Sequence, residues 1–351
     1  MQTGLSSGIS LSARKREILR SVIQRYVAEV RPVSSQTLAD DARVSSATVR
    51  NELAALEELG YLRQLHTSGG RVPTDLAYRF FVEELVQRLT DTLSQRARVE
   101  QVYTQLGSEI EALVEGTLDL LTTMTGQVAW VSLPSTGALE IKSINFVEMD
   151  AQTALVVLVT GGGSLHSRVV QLDTPVKDLS VGILTERLNN YLRGRSILQV
   201  EYEQLRVILR ESIDVPESLI TTMQDFFSGL AVGGERVMFS NALRLVLQPE
   251  FSGSGTLDGV LASLQNKDEF ARTLRSQLDG AALQAIIGTE NVEPNLHEVS
   301  LVVSRYELPS GSGGTVGVLG PTRQHYERSL SWVKVIGEAV ARALGELGEQ
   351  S

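Results

Sequence analysis

Hydrophobic residues recur at helical spacing through the first part of the chain. The segment "ARKREILRSVIQRYVAEV" predicts an amphipathic helix whose apolar face carries Ile18, Val22, Ile23, Tyr26 and Val27. This helix should end at Arg31-Pro32, because the residue before a proline is pushed out of the helical region. The next segment, "VSSQTLADDA", predicts a short second helix with Ser34 or Ser35 as its N-cap.

A third helix is predicted within the segment "VSSATVRNELAALEELGYL". Its apolar seam consists of Val49, Leu53 and Leu56, and either Ser45 or Ser46 is placed to cap its start. Because successive residues lie about 100° apart around a helix, a different set of side chains projects away from this seam. That set comprises Ala47, Thr48, Arg50 and Asn51.

The residue types in this exposed set suit a helix that lies in the major groove of DNA. Arginine can pair bidentately with guanine and asparagine with adenine, while a small residue or a threonine methyl group can pack on thymine. Ala47 also lets the backbone approach the groove closely. The same residues are equally compatible with an ordinary solvated surface, so both interpretations stay open for this helix alone.

The segment "YLRQLHTSGGRVPT" predicts a strand, a glycine turn and a second strand. Three helices followed by such a hairpin is the order of a winged helix-turn-helix, in which the third helix enters the major groove. Arg71 lies beside the tip, where it can meet phosphate or a narrow groove, and His66 can donate to phosphate oxygens. Arg71 is otherwise a solvated strand residue, but the combined order of elements favours DNA binding.

The candidate DNA contacts follow from these positions. We expect base readout from the exposed face of the third helix, phosphate contacts from the start of the second and wing contacts from the hairpin. The full set is Ser35, Gln36, Thr37, Ser45, Ser46, Ala47, Thr48, Arg50, Asn51, His66 and Arg71.

From about residue 127 the period changes to that of strands. Four β-like runs follow one another, "QVAWVSLP", "EIKSINFVEM", "TALVVLVT" and "SLHSRVVQL", and two more come later, "VSLVVSRYEL" and "GTVGVLGPT". A closing helix carries Val333, Ile336, Val340 and Leu344 on one face. The interruption at roughly 200–281, which includes "RVMFSNALRLVLQPEF", is mostly helical in pattern. This order predicts one α/β layer with an insertion.

Composition limits the class of protein. A length of 351 residues suggests two or three domains, and 42% apolar with 21% charged residues is typical of a globular chain. The absence of cysteine excludes disulfides and thiolate metal sites and fits a reducing compartment. No apolar run reaches the roughly 18 to 20 residues of a membrane span, so we expect a soluble, cytoplasmic protein without a membrane partner.

The net charge of −10 is unevenly distributed along the chain. Residues 1–80 carry a balance of +3 and the remainder −13. An acidic protein of this kind can bind DNA through a mildly basic N-terminal part alone, although a difference of this size is a weak signal.

Nothing in the sequence supports an enzyme, a metal site or a bound cofactor. The four histidines, His66, His166, His297 and His325, are scattered and have no ligand spacing. The run "GLSSG" at 4–8 formally fits a hydrolase nucleophile pattern but lacks the preceding strand that such a turn needs.

The segments "SSATVRNELAALEELGYL" and "HTSGGRVPTDLAYRFFV" resemble the most distinctive runs of the HrcA family of heat-inducible transcription repressors. The later segments "ERVMFSNALRLVLQPEF", "IIGTEN" and "VGVLGPTRQHYERSLSWV" are also similar to this family, so that the resemblance covers nearly the whole chain. It implies an α+β multidomain fold with an N-terminal winged helix-turn-helix, a GAF-like α/β domain and a mostly helical inserted dimerisation domain. The implied divisions are 1–90 for the winged helix, 91–199 and 282–351 for the GAF-like domain, and 200–281 for the insertion.

The resemblance also implies a function and partners. A member of this family is expected to repress chaperone genes as a homodimer on double-stranded DNA that carries an inverted repeat, the CIRCE element, and to release it on heat stress. It further implies modulation by the GroEL chaperonin, which no residue of the sequence reveals. An alternative is a small-molecule-responsive winged-helix regulator that uses the GAF-like domain as a ligand sensor.

Overall fold

The computed structural model describes residues 11–42, 45–65, 70–89, 93–105, 110–134, 140–161, 165–172, 181–211, 216–232, 236–251, 256–278, 280–309 and 312–350. Up to residue 89, the described residues fold into four helices and a hairpin, which we call the head. Its elements are α1 (Ala13–Glu29), α2 (Ser35–Ala42), α3 (Ser46–Glu58), β1 (Leu62–Gln64), β2 (Arg71–Pro73) and α4 (Asp75–Arg88).

The predicted end of the first helix is confirmed, with a detail that the proline rule does not supply. Val30 adopts a left-handed conformation with φ of 55° and closes α1 by donating its N–H to the carbonyl of Tyr26. Arg31-Pro32 then leads away, and Val33 pairs with Arg71 of β2 as an isolated bridge. The linker between α1 and α2 is thereby attached to the wing through this one pair of residues.

The rest of the chain adds eight helices and eight strands among the described residues. The helices are α5 (Leu93–Gln105), α6 (Ile110–Thr125), α7 (Val181–Leu192), α8 (Tyr202–Glu211), α9 (Glu217–Val232), α10 (Thr256–Gln265), α11 (Lys267–Gln277) and α12 (Tyr326–Gln350). The strands are β3 (Val128–Leu133), β4 (Ile141–Asp150), β5 (Thr153–Thr160), β6 (Leu165–Gln171), β7 (Arg236–Phe239), β8 (Leu283–Ile287), β9 (Val299–Glu307) and β10 (Gly313–Pro321).

Five strands form an antiparallel sheet in the order β7-β3-β10-β9-β8, which with its helices we call the body. One face of this sheet packs on α6 and α12, where Val131, Val302 and Val316 are buried. The other face packs on α10 and α11, and the Trp130 and Phe270 rings meet edge to face at 5.6 Å. Both faces of the sheet are therefore covered by apolar side chains of the same chain.

The other three strands form a separate sheet, β4-β5-β6. It packs with α7, α8 and α9 around its own buried cluster, which includes Val156, Leu188 and Phe227. We call this part the lateral unit. The chain leaves the body after β3 and returns at β7, which pairs with β3 so that Leu133 lies opposite Arg236.

This partition differs from the one that the sequence predicts. Of the four consecutive runs only β3 belongs to the larger sheet, and α10 and α11, expected within the 200–281 insertion, pack on the body instead. Alternation along a strand specifies which face is buried but not which sheet the strand joins. The sequence pattern therefore located these strands without assigning them to sheets.

Two strands were not predicted. The interruption is mostly helical, as predicted, but no element was predicted for "RVMFSNALRLVLQPEF" itself. In this run Arg236–Phe239 forms β7, and 3-10 turns follow at Ala242–Leu247 and Pro249–Phe251. Leu283–Ile287, which forms the edge strand β8, carried no prediction at all. Runs of four or five residues are too short for their period to distinguish a strand from a turn of helix.

The head is joined to the body through a continuous apolar core. Leu53 and Leu56 of the head, Tyr78 of α4, Tyr326 of α12 and Val316 of the sheet belong to one contiguous buried cluster. No helix within the described ranges is both long and apolar enough to cross a membrane.

Candidate nucleic-acid interface

The third helix is held in place by its apolar seam. Val49, Leu53 and Leu56 are all fully buried, as predicted, and pack against residues of α1 such as Leu19 and Val22. Lys15 of α1 adds an ion pair with Glu52 at 2.9 Å on the flank of this contact. The orientation of α3 within the head is thereby set by its packing on α1.

The beginning of α3 is capped by Ser45. Its Oγ accepts a hydrogen bond from the backbone N–H of Thr48 at 3.1 Å, which resolves the choice between Ser45 and Ser46 that the sequence left open. The two hydroxyls of Ser45 and Thr48 also share a hydrogen bond at 2.8 Å. At the start of α2 the corresponding acceptor is Ser34, whose Oγ receives the N–H of Thr37 at 3.2 Å.

The side of α3 that faces away from the head carries the predicted set. Ala47, Arg50 and Asn51 are exposed, and Thr48 is half-buried beside the cap. Arg50 forms no ion pair with any described residue, so its guanidinium is available to an external acceptor. A small residue, a guanidinium and an amide thus emerge together from the first turns of a rigid, capped helix.

The start of α2 offers fewer exposed groups. Gln36 is exposed, whereas Ser35 and Thr37 are half-buried. The hydroxyl of Thr37 is hydrogen-bonded to that of Ser34 at 2.7 Å, which orients it toward the cap. Of the three predicted phosphate contacts, Gln36 is therefore the one that the fold presents most openly.

Arg71 lies at the base of the wing and is largely buried. Its Nε donates to Glu57 of α3 at 2.9 Å, only 15% of the side chain is exposed, and its main chain pairs with Val33 through two hydrogen bonds of 2.9 Å. Arg71 thus ties the wing to the last turn of α3. The predicted DNA contact of Arg71 stays a prediction. It requires the guanidinium to bind a phosphate as well as Glu57.

Arg63 on β1 is a further candidate contact that was not predicted. It lies opposite Val72 in the hairpin, and its side chain is exposed while that of the preceding Leu62 is buried. Strand alternation around Leu62 was a signal that could have found it. The other predicted wing contact, His66, lies outside the described residues.

The cap provides a first prediction. Replacing Ser45 with Ala should destabilise the start of α3 by about 1 kcal/mol, because the N–H of Thr48 loses its acceptor. Hydrogen exchange of peptides that cover α3 measures this loss as faster exchange. Ser46→Ala is the matched control, since Ser46 does not cap the helix. Equal exchange in the two variants would show that the cap does not stabilise this helix.

No cluster of three or more potential metal ligands occurs within the part of the chain that the structure describes. Two histidines have pKa values that the fold shifts. His166 is half-buried, and burial lowers its pKa. His325 lies just before α12 with part of its ring shielded from water. This shielding and the nearby charges of Arg328 and Arg323 lower its pKa.

Two family models match most of the chain. One, described as the winged helix-turn-helix transcription repressor HrcA DNA-binding domain, matches residues 10–86, and the HrcA protein C terminal domain matches residues 111–330. The heat-inducible transcription repressor HrcA of Natranaerobius thermophilus is 32% identical over 345 residues, which cover 96% of this chain and 98% of that protein. HrcA of Moorella thermoacetica is 32% identical over 342 residues, with 96% and 99% covered.

A solved structure also matches. A protein described as hypothetical, with a crystal structure at 2.2 Å resolution, aligns over 96% of this chain and 100% of its own length with a TM-score of 0.63. The sequence identity is 21%, so this likeness shows the fold alone.

Proposed function

Because the chain belongs to the HrcA family of heat-inducible transcription repressors, with a winged-helix DNA-binding domain, we propose that it acts as a homodimer on an inverted-repeat operator, the CIRCE element of this family. The observation that carries the proposal is the exposed start of α3, where Ala47, Arg50 and Asn51 emerge beside a capped helix terminus. A dimer with two-fold symmetry presents two such helices to the two halves of a palindrome.

The proposal assigns the individual roles as the sequence predicts them, and the exposure of Arg50 and Asn51 supports this assignment. Arg50 and Asn51 read base edges, with Ala47 and Thr48 allowing close approach to the groove. Backbone phosphates are contacted around the two helix starts and on the wing, where donors and exposed cations occur. These phosphate contacts are Ser35, Gln36, Thr37, Ser45, Ser46, His66 and Arg71, to which the fold adds Arg63.

The homodimer is proposed to form through the outer face of the β4-β5-β6 sheet. On this face Val147, Leu165 and Val169 are between 50% and 68% exposed. Val147 and Val169 flank Leu155 on either side in the strand register, so the apolar residues form one patch. An uncovered apolar patch on a sheet is typical of an association surface, and a second copy of this chain carries the same patch in a two-fold arrangement.

This assignment places dimerisation in the lateral unit and repeats the family expectation of an inserted dimerisation domain with shifted limits. In the same proposal the body is the GAF-like domain, split in the chain by the lateral unit. The ligand-sensor alternative has less support, because both faces of the body's sheet are packed with apolar side chains.

Family membership also supports a role for the GroEL chaperonin. In this proposal the chaperonin assists the repressor into its active form, and misfolded proteins draw it away on heating. Repression is then lost because fewer active dimers remain to occupy the operator.

The decisive experiment is a fluorescence-anisotropy titration at about physiological salt. The purified protein is added to a duplex with the inverted repeat and to a scrambled duplex of the same composition. We expect a preference on the order of 10³-fold or more, which is typical of specific over non-specific binding. Equal weak binding that persists after GroEL is added would contradict the proposed function, whereas a preference that emerges only with GroEL would support its chaperonin step.

A further inference from the structure

We infer that Asp75 and Arg79 are positioning residues that fix the angle of the head on the body, and thereby the operator half-site spacing that the dimer accepts. This inference rests on the proposed function, since spacing has meaning only for a dimer on an inverted repeat. The contacts involved join α4 of the head to the turn that follows β8 of the body, more than 200 residues away in the chain.

Asp75 holds this turn from the first turn of α4. Its Oδ2 accepts hydrogen bonds from both the backbone N–H and the Oγ1 of Thr289, at 3.0 and 2.9 Å. The neighbouring Gly288 has φ of 52°, and a Cβ on it would overlap the carboxylate of Asp75. Only a glycine at this position lets the turn approach the helix so closely.

Arg79 holds the same turn one helical turn further along α4. Its guanidinium forms a two-point ion pair with Glu290 and also donates to the carbonyl of Ala285 on β8 at 2.7 Å. Glu290 is itself anchored, because its Oε2 accepts the N–H of Ile287 at 2.8 Å. The arginine is thus bonded to groups whose positions the sheet edge already fixes.

Between these two contacts the ring of Tyr78 packs on the ring of Tyr326 with centroids 5.7 Å apart. Both side chains are buried, and the Tyr326 hydroxyl donates to the backbone carbonyl of Thr322, just after β10. Burial raises the pKa of both phenols far above the usual range, so they stay neutral. Two polar contacts around a neutral aromatic contact define a direction for α4 on the body, which apolar packing alone would specify less strictly.

The opposite side of the junction is open. A cleft of about 600 Å³ separates α1 and α4 of the head from the beginning of α12. Its lining includes Arg20, Glu84, Arg88, Gln95, His325 and Arg328. The head therefore meets the body through the apolar core and through polar contacts along one edge, while its other edge borders the cleft. In this geometry, loss of the polar contacts lets the head turn relative to the cleft.

A change in the angle of α4 on the body also moves α3, the helix proposed to enter the major groove. An ion pair of 2.9 Å between Lys15 and Glu52 ties α1 to α3. A second pair of 2.7 Å between Arg20 and Glu84 ties α1 to α4, so the three helices of the head turn together. Each base pair added between half-sites displaces the second one by roughly 3.4 Å and rotates it by roughly a tenth of a turn. A dimer whose two heads are firmly held can bind both half-sites at only one spacing. A dimer whose heads are loosely held can bind them at several spacings.

The test is a series of inverted-repeat duplexes whose spacer varies one base pair at a time. Wild-type protein should prefer one spacing, and Arg79→Gln or Gly288→Ala should reduce that preference by about fivefold or more, the range of a modest coupling. Arg236→Gln is the matched control, because it removes an exposed ion pair with Glu111 elsewhere on the body. Binding to a single half-site and the dimer fraction in light scattering should be unchanged in all three.

The outcomes separate the inference from the function on which it rests. A wild-type preference for one spacing that both variants retain in full would overturn the positioning role, and so would a wild type that accepts every spacing. A wild type that binds no inverted repeat would contradict the proposed function instead. Should Arg79→Gln fail to fold, Asp75→Asn keeps the side-chain volume and weakens only the Thr289 contacts.

Discussion

Replacing Arg50 with Ala is expected to weaken operator binding by roughly 1–3 kcal/mol per half-site. The reason is that the guanidinium of Arg50 is exposed at the beginning of α3 and has no ion-pair partner among the described residues. A bidentate pair with a guanine would be lost in both halves of the palindrome. Fluorescence anisotropy with the inverted-repeat duplex measures the loss directly.

Two further variants sharpen this prediction. Arg50→Lys keeps the charge but cannot form the planar two-point contact, so it should retain phosphate attraction and lose base discrimination. Arg88→Ala is the matched control. Arg88 is also an exposed arginine of the head, but it lies at the end of α4, where it lines the cleft, and not on α3. If Arg50→Ala binds the operator as wild type does while the head stays folded, Arg50 does not read the DNA.

Placing a charge on the outer face of the lateral sheet is expected to abolish the dimer. Val147 is 50% exposed and lies beside Leu155 in the apolar patch, so Val147→Asp leaves the folded monomer intact. In a dimer the carboxylate would be buried without a partner, which costs on the order of 3–5 kcal/mol, and a two-fold interface contains it twice. Sedimentation or light scattering should show a monomer, and operator affinity should fall steeply because each head then binds alone.

The control for this prediction lies elsewhere on the body. Val292 is 68% exposed and lies outside the lateral sheet, so Val292→Asp introduces the same change without touching the patch. That variant should remain a dimer. A Val147→Asp protein that remains a dimer at micromolar concentration would move the interface to another surface.

The sequence was sufficient to predict the head because its signals are local. The seam of Val49, Leu53 and Leu56 defines which side of α3 is buried, and the opposite side then follows from helical geometry alone. For this reason the exposure of Arg50 and Asn51 was predicted correctly without any knowledge of the rest of the fold.

Contacts between distant segments were out of reach for the same reason. Arg71 was expected to be available to DNA, and its engagement with Glu57 depends on the wing folding back over the end of α3. The hydrogen bonds from Thr289 to Asp75 join residues 214 positions apart. An aspartate or a threonine can pair with many residue types, so neither residue predicts the other. Strand alternation likewise showed that β4, β5 and β6 exist but not that they leave the larger sheet.

The pairing of β3 with β7 has a consequence for how this architecture can change over evolution. The lateral unit departs from one strand and re-enters through its antiparallel neighbour, so its two attachment points are adjacent, as at the two ends of a hairpin. A segment held at adjacent points can be lengthened, shortened or exchanged without moving the strands that carry it. The lateral unit, proposed to form the dimer, and the head, proposed to bind DNA, can therefore change at different rates within one chain.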